Sequence, residues 1–288
     1  MSERLLLCTD LDRTLIPNGP QPESPDARRL FRQLCAAQQL TLAYVSGRHR
    51  SLVQQAIVNY SLPQPDFVVG DVGTTLYQVG QENLWQPMEA WERQIAEDWC
   101  GKSHADLQTL FADLSALRVQ ETSKQNRYKL SYYLSLHSNR YELEHVMRLR
   151  LETLGVRASL VWSVDEPAGV GLLDVLPAGA TKLHAIEFLM QQLGFEASET
   201  LFSGDSGNDM PVLTSAIPSV LVANAPAEVR AEALAGATDN QNLAAFYQAE
   251  GGFMGMNGHY SAGIIEGIAH YHPALLRELM GSGRQQES

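Results

Sequence analysis

Two carboxylates separated by a single residue, Asp10 and Asp12, follow directly on the apolar run Leu5-Leu6-Leu7-Cys8. Such a run reads as a fully buried parallel strand, and ligands of an open parallel sheet gather outside the carboxyl ends of its strands. Paired carboxylates at that place attract a hard divalent cation such as Mg2+. Taken alone, Asp10-x-Asp12-x-Thr14 reads equally well as an ordinary loop with a helix cap. A second cluster shifts the balance. Thr200-Leu201-Phe202-Ser203 is another short buried strand, and it runs straight into Gly204-Asp205-Ser206-Gly207-Asn208-Asp209. Two acid-bearing loops converging on one point would give a metal its oxygen shell, completed by substrate phosphate and water. Two further segments offer anion contacts. Leu40–Val45 reads as a strand ending in Ser46-Gly47-Arg48, a hydroxyl with backbone amides, and Lys182 stands near the start of a helix. A cation there opposes the helix dipole, so it points to an outside anion rather than to helix stabilisation.

The elements that must position these groups alternate. Strands expected at 4–9, 40–45 and 66–69 are separated by helices near 26–38 and 49–60, the pattern of a parallel sheet with helices on its faces. Gly73 to about Tyr77 reads as a hinge, followed by a polar, Gln-rich stretch from Gln78 to Gln86. Helices near 88–100, 103–115 and 139–154 then accompany strands at about 127–135, 158–164 and 170–176, which make a small sheet covered on one side. After Pro177 a helix at 181–194, strands at 200–203 and 219–222 and later helices return to the first sheet, and the tail Gly281–Ser288 is expected to be disordered.

In order and spacing, Asp10-x-Asp12-x-Thr14, Ser46-Gly47-Arg48, Lys182 and Gly204-Asp205-Ser206-Gly207-Asn208-Asp209 resemble the four motifs of the haloacid dehalogenase (HAD) superfamily of phosphatases. Between Thr14 and Ser46 there is room for one helix and one strand, so the extra domain lies between Ser46 and Lys182. The resemblance therefore implies a Rossmann-like parallel-sheet core at 1–77 and 178–288 with an inserted α/β cap at 78–177. Within that subclass the chain looks most like the sucrose-6-phosphate phosphatases. The supporting stretches are Val72-Gly73 ahead of Leu76-Tyr77, Lys129-Leu130-Ser131-Tyr132, Asn224-Ala225 and Ser261-Ala262-Gly263 through His270.

What the resemblance implies about roles can be carried residue by residue. Asp10 is the nucleophile, forming an aspartyl-phosphate, and Asp12 is the acid and then the base. Mg2+ is the cofactor, with Asp10, Asp12, Asp205 and Asp209 as its ligand set; Asp12 contributes through its backbone carbonyl and Asp209 from behind a bound water. Ser46, Gly47, Lys182 and Asn208 hold the phosphoryl oxygens. Arg48, Lys129, Ser131 and Tyr132 are candidates for the sugar. On the cap strand, alternation puts Lys129, Ser131 and Tyr133 on one face and Tyr128, Leu130 and Tyr132 on the other, and either face could be the packed one. Trp85, Trp91 and Trp99 read as packing residues more readily than as sugar platforms.

The implied activity is hydrolysis of sucrose 6-phosphate. A phosphatase for another sugar or osmolyte phosphate, such as glucosylglycerol phosphate or mannosylglycerate phosphate, would share every core residue. A non-catalytic partner of a sugar-phosphate synthase would be expected to lose Asp10, Asp12 or Asp205, all of which are kept, and a phosphomutase would share the aspartyl-phosphate. The partner implied is a small sugar phosphate, with association to such a synthase as an accompanying expectation. The 288 residues, 44% of them hydrophobic, suffice for two lobes. A formal charge of −12 without a basic run speaks against nucleic acid and acidic membranes as partners. Three cysteines, Cys8, Cys35 and Cys100, fit no metal spacing and suit reduced thiols in the cytoplasm. Met1-Ser2-Glu3-Arg4 leads straight into the first strand, which gives the expectation of no signal peptide.

Overall fold

The apolar run Leu5–Thr9 is a strand, β1, with every residue buried. The computed structural model, which describes residues 4–165 and 168–282, continues with α1 (Ala27–Cys35), β2 (Leu40–Val45), α2 (Arg50–Asn59), β3 (Phe67–Gly70), β4 (Thr75–Val79) and β5 (Trp85–Pro87). Next come α3 (Glu89–Ala96), α4 (His104–Leu110), β6 (Arg118–Val119), β7 (Leu130–Leu134), α5 (Arg140–Thr153), β8 (Ala158–Asp165) and β9 (Val170–Pro177). The last third supplies α6 (Lys182–Leu193), β10 (Thr200–Gly204), α7 (Met210–Leu213), β11 (Ser219–Leu221), α8 (Ala227–Asp239), β12 (Phe246–Gln248), α9 (Ser261–Tyr271) and α10 (Pro273–Ser282). Gly281 and Ser282 thus belong to a helix, while 283–288 of the expected tail and Met1–Glu3 lie outside the described residues.

Eight strands form one sheet in the order β12-β11-β10-β1-β2-β3-β4-β5. β1 lies inside it, parallel to both neighbours, with Thr9 opposite Ser203 of β10 and Tyr44 of β2. A strand covered on both faces and both edges can be apolar without interruption, which is why Leu5-Leu6-Leu7 carries no alternation. Asp10, Ser46 and Asp205 are each the first residue past β1, β2 and β10, so parallel register delivers all three to one edge of the sheet. This is the α/β parallel-sheet core that the resemblance implied.

The polar stretch Gln78–Gln86 is not a linker. β4 and β5 pair antiparallel at the sheet's edge, Val79 opposite Trp85, and Trp85 is buried in the core with Tyr77 5.6 Å from it, ring to ring. The Arg50 guanidinium lies 5.7 Å from the centre of each of these rings. Edge strands commonly carry polar residues that discourage further pairing, so a short edge hairpin has the composition of a loop. By their own contacts, Met1–Gly73, Tyr77–Pro87 and Lys182–Ser288 form one unit, and Thr74–Leu76 with Met88–Thr181 the other.

The second unit is built on the antiparallel sheet β6-β7-β9-β8. Trp91, Trp99, Leu107, Phe111, Leu130 and Met147 are buried in it, so both tryptophans are packing residues. Ser103 and Asp106 form a reciprocal capping box at the start of α4, and the Asn139 side chain caps α5. β6 and β12, two and three residues long, are too short to show a period in sequence. Among the described residues no helix is long and apolar enough to cross a membrane, and the three cysteines are free thiols.

In the first unit, α9 is buried from Ser261 through Ile268, as expected of a helix apolar all round, and it packs on α1, β10 and β11. Gly263 permits the approach: a Cβ there would lie 2.3 Å from the Gly258 carbonyl oxygen and 3.0 Å from Val222 Cγ1. Gly263→Ala gains about 1 kcal/mol of helix propensity. Against a backbone oxygen that cannot rotate away, overpacking outweighs it. The expected net loss is roughly 1–2 kcal/mol, seen as a lower urea midpoint with an unchanged m value. A midpoint at or above that of the wild type would show that α9 has slack.

Candidate active site

Lys182, the first residue of α6, is buried, and its ammonium is the centre of the cluster. Nζ lies 2.6 Å from Asp209 Oδ1, 3.0 Å from Asp10 Oδ1 and 3.2 Å from Asn208 Oδ1. The loop after β10 folds around its own acid. Asp209 Oδ2 accepts from the Asp205 amide (3.1 Å), the Ser206 amide (3.2 Å) and the Ser206 hydroxyl (3.2 Å). Gly204 makes room for that turn, since a Cβ on it would stand 2.6 Å from the Asp209 carboxylate. Both Asp209 oxygens are therefore occupied by the protein's own donors. Asn208 is turned to Lys182 and to the Ser206 hydroxyl, 2.9 Å away.

The loop after β1 sends its two acids in different directions. The Asp12 carboxylate receives Arg48 at both oxygens, 2.6 and 2.7 Å, and Asn18 Nδ2 at 2.7 Å. Arg48, a candidate for the sugar, is here the partner of Asp12. Thr14 Oγ1 donates to Asp205 Oδ1 at 3.2 Å, and Arg13 Nε lies 3.5 Å from Asp205 Oδ2. Ser46 is buried at the end of β2; its amide donates to Val69 O and its hydroxyl accepts from the Arg48 amide at 3.2 Å. Gly47 follows it, with nothing closer than 4.0 Å to the place of a Cβ. Arg13, Asn18 and Asn224, whose side-chain nitrogen donates to the Arg13 carbonyl, are parts of the site with no assigned role in the sequence reading. A lone asparagine far from a motif gives no spacing signal, and only Asn224-Ala225 stood out, as a point of resemblance.

Oxygens of Asp10, Asp205 and Asp209 lie within 4.8 Å of one another, all three residues buried. Against three carboxylates stands one buried ammonium. Burial, the largest cause, pushes the Asp10 carboxyl up to about 7; Lys182 pulls it down, and the Asp209 charge adds to the rise. Burial and then the Asp209 charge push Asp205 up to about 6. For Lys182 burial works against the charge, but Asp10 and Asp209 outweigh it and hold the ammonium above its ordinary range. Asp12 is the reverse case: burial raises it, and the Arg48 hydrogen bonds and charge more than offset this, leaving it below the usual carboxylate range. A buried oxygen cluster short of positive charge fits a hard divalent cation.

The remaining expected site residues lie in the second unit. Lys129 and Ser131 are buried on β7's approach and strand, with Lys129 Nζ 3.7 Å from Asp174 Oδ2 and Ser131 Oγ 2.5 Å from Asp174 Oδ1. Tyr132 does not share that face. It packs edge-on against Phe111, ring centres 6.5 Å apart, in the apolar side of the sheet with Leu130 and Leu134. Strand alternation separates it from Lys129 and Ser131, and its ring is part of the packing on that side.

Residues 3–272 match the family model described as sucrose-6F-phosphate phosphohydrolase. A protein of Nitrosococcus oceani, described as a HAD-like hydrolase, is 51% identical over 288 residues, 100% of this chain and 77% of the relative. Sucrose-phosphatase 1 of Nicotiana tabacum is 28% identical over 278 residues, 93% of this chain, and the chain spans 59% of that relative's length. Among solved structures, the sucrose-phosphatase of Synechocystis in complex with sucrose and phosphate superposes with a TM-score of 0.70 at 26% identity, covering 94% of this chain and 98% of that one.

The electrostatics set a pH dependence. A carboxyl whose folded pKa is above its unfolded value contributes stability that is complete below the unfolded value and lost as pH rises through the folded one. For Asp10 and Asp205 the window runs from their ordinary 3.8 to about 7 and about 6. Without divalent cation these two groups should therefore weaken the fold between those limits. Cation binding must displace their protons, so the rise in Tm on adding Mg2+ to EDTA-treated protein should be larger at pH 7.5 than at pH 5. Equal shifts at the two pH values would count against metal binding by this cluster.

Proposed function

We propose that this chain, which belongs to the sucrose-6F-phosphate phosphohydrolase family of HAD phosphatases, is a Mg2+-dependent sugar phosphatase acting through Asp10, with sucrose 6-phosphate as its substrate. The observation that carries the mechanism is the contact of the Asp10 carboxylate with Lys182 Nζ at 3.0 Å, inside a buried cluster that also holds Asp205 and Asp209. The family match and the likeness to a sucrose-phosphatase seen with sucrose and phosphate support the substrate.

In this reading Asp10 attacks phosphorus in line. The Oδ–P bond forms as the ester P–O bond breaks, leaving an aspartyl-phosphate and a sugar oxygen that takes a proton from Asp12. Water then attacks phosphorus, giving its proton to Asp12, and inorganic phosphate leaves with Asp10 restored. Lys182 fixes the attacking carboxylate and, with Ser46 and the Gly47 amide, faces the charge that gathers on the phosphoryl oxygens. Asp209, with both oxygens taken, orients Lys182 and closes the Asp205 loop. Asp10, Asp205 and the Asp12 carbonyl would hold Mg2+, which when bound offsets the negative charge of carboxylates and phosphate alike. Asp12 as held by Arg48 is ionised, so its acid role requires trading the guanidinium for a proton. An incoming phosphate dianion favours that exchange by competing for Arg48. Substrate choice is assigned to the second unit, with Lys129, Ser131 and Asp174 as its polar contacts, because the core motifs handle only the phosphoryl group that every substrate shares.

Asp10→Asn should abolish phosphate release, and EDTA should silence the wild type. Near wild-type turnover by Asp10→Asn at saturating Mg2+ would sink the mechanism. On a panel of sugar phosphates, kcat/KM for sucrose 6-phosphate should exceed that for glucose 6-phosphate and glucosylglycerol phosphate by at least about tenfold, or about 1.4 kcal/mol. Comparable values would leave a phosphatase of different substrate.

Proton donation by Asp12 matters most where the leaving oxygen is basic. Asp12→Asn should therefore slow phosphoenzyme formation by roughly 100-fold or more on a sugar phosphate, and much less on an aryl phosphate, in single-turnover measurements. Equal losses on both substrates would reduce Asp12 to a structural role.

A further inference from the structure

One residue of the loop after β1 is held in a conformation that its side chain disfavours. Arg13, between Asp12 and Thr14, has φ of +59°, in the left-handed region where a Cβ crowds the following carbonyl. Both of its peptide groups are gripped by asparagine side chains. Its amide donates to Asn18 Oδ1 at 2.8 Å, and its carbonyl accepts from Asn224 Nδ2 at 2.6 Å. Asn18 passes the constraint to the catalytic acid, since its Nδ2 donates to Asp12 Oδ1. Asn224 passes it to α9, since its Oδ1 accepts from the amide of Tyr260 at 2.9 Å. Tyr260 precedes α9 and is itself at φ +52°. Asn224 is only 3% exposed, and one partner is an acceptor and the other a donor, so its amide orientation is fixed by chemistry.

We propose that Asn224 is a positioning residue for the catalytic loop: together with Asn18 it holds Arg13 in the left-handed conformation that sends the Asp12 carboxylate to Arg48 and the Thr14 hydroxyl to Asp205. This rests on the phosphatase reading above. Without the Asn224 donor the Arg13 carbonyl loses its buried partner, and the turn is free to relax to negative φ. Relaxation reorients the peptide on one side of Arg13 toward Asp12 and on the other toward Thr14, displacing both the acid and the hydroxyl that steadies Asp205.

Glycine adopts a positive φ without the steric penalty, which gives the test. Asn224→Ala, Arg13→Gly and the double variant are compared in kcat/KM for sucrose 6-phosphate, in Mg2+ dissociation constant by calorimetry, and in Tm. Asn224→Ala alone should lower kcat/KM tenfold or more and weaken Mg2+ binding several-fold. In the Arg13→Gly background the same change should cost less than twofold in both. The Tm loss from Asn224→Ala should persist in both backgrounds, because the Tyr260 amide still loses its acceptor; a purely structural role would not separate Tm from kcat/KM in this way. Asn224→Asp keeps that acceptor and loses the donor, and should match Asn224→Ala in activity while retaining more of the Tm. An equal factor for Asn224→Ala in both backgrounds overturns the proposal. If the wild type releases no phosphate from any ester, the phosphatase reading fails instead, and the Mg2+ cycle still judges the loop.

Discussion

Three carboxylates cannot share a few ångströms of buried space without counter-charge, and the elements that meet at the edge of the large sheet are arranged around that repulsion. Asp10, Asp205 and Asp209 are brought together by strand ends and one tight loop, and the single ammonium among them is placed by the first turn of α6. Backbone amides of Asp205 and Ser206 take up part of the Asp209 charge. Burial first, and then the Asp209 charge that they leave uncompensated, raise Asp10 and Asp205. In a chain with a formal charge of −12, an anionic ester receives no help from the long-range field. In the proposed function its attraction is therefore local, assigned to the cation that the cluster would hold, to Lys182 and to Arg48.

The same sheet edge divides labour between two neighbouring acids. Asp10 lies in a dry cluster and accepts from an ammonium; Asp12, two residues on, is 41% exposed at its side chain and bound to a guanidinium. One environment favours the protonated acid and the other the ion, so two residues of identical chemistry acquire opposite tendencies from position alone. They diverge because the chain leaves strand geometry at Asp10, the first residue past β1; a regular strand would have pointed Asp10 and Asp12 to the same face.

Most of this core was legible in sequence because it is built from strong signals. Leu5-Leu6-Leu7 and Leu40–Val45 are apolar without alternation, as doubly covered strands must be, and each ends in the polar residues that face the site. Acids at fixed spacing, a glycine-bearing turn and a lysine at a helix start reinforce one another. The β4–β5 hairpin was not legible, because strands of five and three residues, the second at the sheet's edge, are too short to show a period beside the polar turn that joins them. Nor was the role of Tyr132, since an amphipathic strand does not declare which face is packed. Asn18 was silent, and Asn224 stood out only as a point of resemblance without a role, for another reason. Their function lies in two hydrogen bonds to backbone and side chain, and a side-chain amide serves that purpose at any surface turn as well.

The order in which the chain leaves the ribosome gives the Asn224 clamp a further meaning. The loop carrying Asp10 and Asp12 is made well before its partners: Lys182, Thr14's partner Asp205 and the donor to Arg13 lie 172, 191 and 211 positions further along the chain. Long-range pairings of this kind are slow to form and leave early strands without neighbours during synthesis. β1 would emerge before β10, one of its two flanking strands, while the second unit, nearly all of it contiguous, has the opportunity to fold in between. Until the last third of the chain is made, the insert can close its own contacts while the parent sheet still lacks β10 and α9.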